Sequence, residues 1–297
     1  MSDWADAAIA FVAGAIVCLI ATAVALRRPP AKLIRTNVDG YPVPAVLGWG
    51  VVAGIVAGHL TLALMEYIDV VRSQCTPGEV CDLILVAFHW DLWGAFLVLS
   101  IGMFVVGLWD DFKGDERPRG FSGHLTSLRQ ARLTGGLVKL TGGALTALIT
   151  TWLLAEGSLS LAVLVLAAAC IALSANAINL FDRAPGRAGK VFLLVAVPLA
   201  VLGEAGSALL LGGAVGAVVV ALPFDLKARA MLGDAGANPL GAWLGLGLAI
   251  NLGSSTSWLV VVVVALLALN LASERWSFSE VIANNRWLAR MDHLGRK

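Results

Sequence analysis

Long apolar stretches separated by short polar gaps run along the whole chain. Nine of these stretches approach the roughly 20 apolar residues that a helix needs to cross a membrane. Apolar runs of this length are typical of membrane helices rather than of buried strands. We therefore predict nine transmembrane helices, at residues 7–26, 44–65, 86–108, 136–154, 158–178, 189–203, 205–223, 237–252 and 256–272.

The gaps between the stretches differ sharply in basic residues. Almost all of the 21 lysines and arginines follow an odd-numbered stretch; Arg72 is the exception in an opposite gap, and Lys139 lies near the start of the fourth stretch. Because cytoplasmic loops are enriched in Lys and Arg, this bias predicts an outer N-terminus and a cytoplasmic C-terminus. An odd number of crossings follows from that arrangement.

The composition excludes an ordinary soluble protein. Hydrophobic residues make up 59% of the chain and charged residues 14%, whereas a soluble domain carries about 25% charged residues. We interpret residues 1–272 as one all-α, polytopic domain in the plasma membrane. The N-terminus carries Asp3 and Asp6 and no basic residue before its apolar run, which is not typical of a cleaved signal peptide.

The last segment, residues 273–297, forms a separate basic tail. Its apolar residues recur at roughly helical spacing, which predicts an amphipathic helix lying on the cytoplasmic membrane surface. These residues are Phe278, Ile282, Trp287, Leu288, Met291 and Leu294.

The four cysteines add little about function. Cys18 and Cys170 fall within apolar stretches and are interpreted as packing residues. Cys75 and Cys81 share a predicted outer loop, where an oxidising compartment would favour a disulfide; two unpaired thiols are the alternative.

Four unusual polar clusters all fall on the predicted cytoplasmic side. Single members have ordinary structural explanations, such as a helix cap, a hydrogen bond between helices or a solvated loop. Independent structural causes would scatter the clusters over both sides of the membrane, so their shared side favours one common site. The clusters are Arg35–Pro44, Gly107–Gly114, Asn176–Arg183 and Gly233–Pro239.

Adjacent carboxylates mark the end of the third stretch. Asp110 and Asp111 repel each other, and ionisable groups at this depth are usually paired and functional. Asp234 precedes the eighth stretch, where its carboxylate is expected to cap free amides at a helix N-terminus. These acidic residues predict a site that handles a cation, a proton or both.

Asparagines extend this site on the fifth stretch. Asn176 and Asn179 are three residues apart and share a helix face, which Asp182 continues. Carboxylate and amide oxygens suit Mg²⁺, with Mn²⁺ as an alternative. A Mg²⁺ ion held by few protein oxygens keeps positions open for phosphates, so the residues predict a joint metal and phosphate site.

The clusters resemble those of the polyprenyl-phosphate N-acetylhexosamine-1-phosphate transferases, that is, glycosyl transferase family 4. Gly-x-x-Asp-Asp, Asn-Ala-x-Asn-x-x-Asp and Gly-Asp-x-Gly occur in the order and spacing of that family, and Asn37 to Pro44 resembles its first cytoplasmic loop. The resemblance covers about residues 30–245. It implies Mg²⁺-dependent transfer of a sugar-1-phosphate from a UDP-sugar to a polyprenyl phosphate, with release of UMP, in cell-wall polysaccharide or peptidoglycan-type synthesis.

The resemblance also implies roles for individual residues. It makes Asn179 and Asp234 the metal ligands and Asp110, Asp111 and Asp182 the catalytic carboxylates. One aspartate of the adjacent pair would deprotonate or orient the lipid phosphate, or form a covalent intermediate. The residues that would contact substrate are Asn37, Lys113, His124, Lys139, Asn176, Arg183 and Arg187.

The chain departs from the family pattern after the fifth stretch. A second acidic residue is missing there, and Arg183, Arg187 and Lys190 are present instead. These cations either grip phosphate or set the membrane topology. The His-rich loop of many bacterial members is also absent, which indicates a divergent subgroup.

Two other classes of function remain open. A transporter or flippase for a lipid-linked sugar would need broken helices and polar residues at mid-membrane. An inactive relative would serve as an assembly scaffold, and a homodimer is compatible with the Gly-rich helices. The retained Asp110, Asp111, Asn179 and Asp234 favour the transferase.

Overall fold

The computed structural model describes residues 3–37, 40–74, 89–113, 135–204, 206–253 and 255–296. Nine long helices lie in these ranges, one at each predicted stretch. They are α1 (Asp3–Arg27), α2 (Leu47–Gln74), α3 (Trp90–Lys113), α4 (Gly135–Ala155), α5 (Leu161–Phe181), α6 (Arg187–Leu202), α7 (Ser207–Leu226), α8 (Asp234–Leu252) and α9 (Thr256–Ala272).

Six of these helices are long and apolar enough to cross a membrane, namely α1 to α5 and α7. The other three are shorter or less apolar: α6 has 16 residues, α8 has 19 and α9 has 17. Large apolar side chains such as Val24, Ile101 and Val264 are at least half exposed on the outer faces of the bundle. An all-α, multi-pass membrane protein is thereby confirmed.

Helix α8 is the centre of the bundle and contacts α2, α3 and α5. Most of its residues are buried, including Trp243, whose Nε1 donates to Ser100 Oγ at 3.1 Å. Glycines on α8 let its neighbours approach closely; a Cβ on Gly241 would lie 2.3 Å from the Ser174 carbonyl oxygen. A central helix surrounded by protein does not need the apolar surface of one that faces lipid.

The segment before α2 is not helical, although the predicted second span begins at residue 44. A 3₁₀ turn (Ala31–Leu33) leads into a two-stranded hairpin, with β1 at Ile34–Thr36 and β2 at Pro42–Pro44. Pro42 and Pro44 favour extended backbone and place the helix start at Leu47. The hairpin packs against the end of the bundle that carries the polar clusters.

The tail is also built differently from the prediction. It forms two short helices, α10 (Phe278–Asn284) and α11 (Arg286–His293), rather than one. Asn285 interrupts the helix in an extended conformation, and its Oδ1 accepts from the amides of Trp287 and Leu288. A short polar side chain that caps a helix N-terminus favours such a break.

The structure describes two of the four cysteines. Cys18 and Cys170 are buried and free, as expected of packing residues. Cys75 and Cys81 lie outside the described residues, so their pairing stays a prediction.

Candidate active site

Asp111 holds the N-terminus of α8 against the end of α3. Its two carboxylate oxygens accept hydrogen bonds from the backbone amides of Asp234, at 3.0 Å, and Ala235, at 2.9 Å. The backbones approach closely because Gly107 has no side chain; a Cβ there would lie 2.2 Å from the Asp234 carbonyl oxygen. The expectation that Asp234 caps this helix was therefore wrong, since Asp111 supplies the cap.

The Asp234 carboxylate is thereby available for another contact. It forms an ion pair with Lys139 Nζ, which also lies 3.4 Å from Asp110 Oδ2. Asp110 is only 7% exposed, and the three side chains come from α3, α4 and α8. One lysine therefore joins two of the predicted site carboxylates, and we call Asp110, Lys139 and Asp234 the Lys139 triad.

Asn179 borders the triad from α5. Its side chain lies beside the Asp234 carboxylate. Its Nδ2 is buried and has no hydrogen bond of ordinary geometry within the described residues, and the acceptor that it lies beside is the Asp234 carboxylate. An amide N–H group donates and suits an anionic oxygen, whereas a metal ion would be held through Oδ1.

Backbone hydrogen bonds fix the segment that leads into α8. The amides of Leu47 and Gly48 donate to the carbonyl oxygens of Met231 and Leu232 at 3.1 Å, and the Met231 amide donates to Pro44 O at 2.9 Å. Gly233 then turns the chain at a φ of +69°, a region that favours glycine. Asp234 is therefore held by the hairpin and the start of α2 as well as by Asp111.

Arg35 reaches the site from strand β1. Its guanidinium NH2 donates to the Asp111 carbonyl oxygen. This contact brings the cluster Arg35–Pro44 to the same end of the bundle as the other three polar clusters.

A cavity beside the triad contains the remaining carboxylates. Asn37, Asp182, Arg183 and Asp225 line it. Burial, followed by the charges of Asp225, Asp234 and Asp111, raises the pKa of Asp182 well above its ordinary value. Asp182 is therefore easier to protonate than an ordinary aspartate.

Asp225 was missed in the sequence analysis. It lies in the last turn of α7, is buried, and accepts a hydrogen bond from the Gly186 amide at 2.9 Å. The available signal was a single carboxylate at the end of an apolar stretch, which is a weaker signal than the adjacent pair of Asp110 and Asp111.

Several predicted substrate contacts have protein partners. Asn176 donates to Asn270 Oδ1 on α9 at 2.5 Å, and the Lys113 ammonium lies 4.6 Å from the centre of the Trp109 ring. Asn37 Oδ1 accepts from the Tyr41 amide within the hairpin, although Asn37 also lines the cavity.

Arg187 lies in a buried ion pair with Asp292, so the interpretation that it grips phosphate is corrected. Its guanidinium is directed to the tail, where it also donates to Ser279 Oγ. Arg183 is exposed at the cavity, whereas His124 lies outside the described residues.

The oxygen atoms around the Lys139 triad form a small set of possible Mg²⁺ ligands. Within the described residues, no three His, Cys, Asp or Glu side chains form a ready-made metal site. Mg²⁺ is commonly held by only one or two carboxylates, with the rest supplied by water and substrate phosphates. Asp234, the adjacent Asn179 and Asp110 fit this smaller set.

Residues 93–253, more than half of the chain, match the model of "Glycosyl transferase family 4". The chain belongs to glycosyl transferase family 4. The family 4 match includes the Lys139 triad, Asp111, Asn179 and Asp182.

Family 4 membership makes the chain a membrane transferase of the sugar-phosphate type, whose partners in general are a lipid and a sugar nucleotide. No curated protein matches the chain significantly.

Proposed function

We propose that this family 4 protein transfers a sugar-1-phosphate from a UDP-sugar to a polyprenyl phosphate, releasing UMP. The reaction would take place at the cytoplasmic face of the plasma membrane, require Mg²⁺ or Mn²⁺, and serve cell-envelope polysaccharide or peptidoglycan-type synthesis. The observation that carries the proposal is the Lys139 triad at one end of a membrane bundle. Asp111 positions Asp234 of this triad by capping helix α8.

The chemistry needs a site of this kind because both substrates are anionic. An oxygen of the lipid phosphate attacks the phosphorus that bears the sugar, and the bond from that phosphorus to UMP breaks. UMP leaves with the electron pair. Preorganised cations and helix N-termini stabilise the charge that develops during such a transfer.

Asp110 is the carboxylate best suited to act on the lipid phosphate. Asp111 already uses both oxygens on the α8 amides, whereas Asp110 faces Lys139. Asp110 would take or orient the proton of the lipid phosphate, and Lys139 would bind the phosphate oxygens. This assignment separates two neighbouring aspartates that the resemblance left equivalent.

A divalent metal would be held by Asp234 with Asn179, close to Asp110. When bound, it would neutralise the charge on the diphosphate of the donor. Arg183 at the cavity would add a cation for the same diphosphate, and Asp182 and Asp225 line the same cavity.

Donor binding can be measured without turnover. We expect one UDP-sugar from a panel to raise the thermal unfolding midpoint of the purified protein in the presence of Mg²⁺, because a ligand that binds only the folded state stabilises it. The shift should disappear when EDTA removes the metal, and Asp234→Ala should lose it as well. A shift by UDP-sugars that is the same with and without metal would count against the proposed site.

A further inference from the structure

The C-terminal tail folds back onto the turn between α5 and α6. Ser277 accepts from the Glu280 amide at the start of α10, and Asn285 caps α11. These two caps fix where the short helices of the tail begin.

Asp292 is the centre of that contact. It is 8% exposed, and its two oxygens accept from Arg187 Nε and NH2 at 2.8 Å each. Arg296 NH2 donates to Oδ1 at 2.6 Å, and Arg187 NH1 reaches Ser279 Oγ of α10 at 2.9 Å. A bidentate pair of this kind fixes geometry as well as charge.

Lys190 and Arg296 also join the tail to the turn and to the start of α6. Lys190 Nζ donates to the carbonyl oxygens of Met291, at 3.0 Å, and Asp292, at 2.5 Å, near the C-terminus of α11. Arg296 Nε donates to Pro185 O at 2.8 Å, within the turn itself. The tail therefore bonds to backbone and side chains on both sides of Gly186.

The same turn carries residues of the cavity. Asp182 and Arg183 line it, and the Gly186 amide donates to Asp225 Oδ2. Gly186 has a φ of +71°, and a Cβ there would lie 2.4 Å from Leu226 Cδ2. The turn is thus held from inside by Asp225 and from outside by the tail.

We propose that the tail is a clamp on the active-site turn, and that Asp292 and Arg187 are positioning residues for Asp182 and Arg183. This inference rests on the proposed function, but the contacts that carry it lie outside the Lys139 triad.

The kinetic test compares Asp292→Asn with Glu280→Gln, which removes an exposed carboxylate from the same tail. Asp292→Asn should lower kcat roughly 10- to 100-fold through misplacement of the turn. It should leave the KM for polyprenyl phosphate and the thermal midpoint of the bundle close to wild type, and Glu280→Gln should match wild type. Arg187→Lys keeps the charge but loses the bidentate contact, so its kcat should lie between those of Asp292→Asn and Glu280→Gln.

The structural test is hydrogen exchange of residues 183–190, measured on the full chain. Asp292→Asn should speed exchange there and not in α8. Faster exchange together with unchanged kcat would overturn the positioning role, and unchanged exchange would overturn the clamp itself. If the wild type transfers no sugar phosphate, the proposed function fails, whereas the exchange result still decides whether the clamp exists. If Asp292→Asn does not fold, Arg187→Lys is judged by the same two readings.

Discussion

Replacing Asp110 by asparagine should abolish most turnover without unfolding the protein. The change is isosteric, and an amide oxygen at this position can still accept from Lys139. It removes the group proposed to take the proton, and loss of a general base typically costs about 10²- to 10⁴-fold in rate. Asp110→Asn should therefore form much less product than wild type and keep the thermal midpoint of wild type.

The neighbouring Asp111 gives the opposite pattern and serves as the comparison. Asp111→Ala removes both acceptors of the α8 amides, and loss of an N-terminal cap costs about 0.5–2 kcal/mol. Its thermal midpoint should fall, and Asp111→Asn should restore only part of it, because asparagine keeps one acceptor oxygen and turns an NH2 group towards the second amide. Full activity of Asp110→Asn, or an Asp111→Ala variant as stable as wild type, would contradict the division of roles between the pair.

Replacing Lys139 by methionine should lower turnover while preserving the response to metal. The lysine lies between Asp110 and Asp234, so its removal leaves two carboxylates that attract a divalent cation. Loss of one charge-stabilising donor costs roughly 10²- to 10³-fold in rate. The Mg²⁺-dependent thermal stabilisation should remain or increase.

The control for this variant is Lys227→Met, at an exposed lysine after α7. It removes the same charge from the same predicted side of the membrane and should leave turnover unchanged. If Lys139→Met keeps both the metal response and full turnover, the triad is a metal site without a role for the lysine in phosphate transfer.

The helices and their shared polar end could be predicted from the sequence because both depend on local patterns. Apolar length predicts a helix, and the Lys and Arg bias predicts which ends lie together. Asp110, Asn179 and Asp234 were brought to one site by that reasoning. The hairpin around Asn37 was missed because two short strands leave little trace in hydropathy.

The division of roles within the site depends on contacts between distant residues. Asp111 caps a helix that begins 123 residues later, and Arg187 pairs with an aspartate 105 residues away. Neither partner is marked by local spacing. Asp234 was assigned the cap because a residue before a helix usually supplies it, and tertiary packing gave that place to Asp111.

The central claim is tested most directly by measuring UMP release from purified protein in an omission series. With the UDP-sugar that stabilises the protein, polyprenyl phosphate and Mg²⁺ all present, we expect UMP and a lipid-linked sugar diphosphate in equal amounts. Leaving out any one of the three should stop both. UMP release that does not need the lipid phosphate, or no lipid-linked product from any UDP-sugar with the complete mixture, would contradict the account.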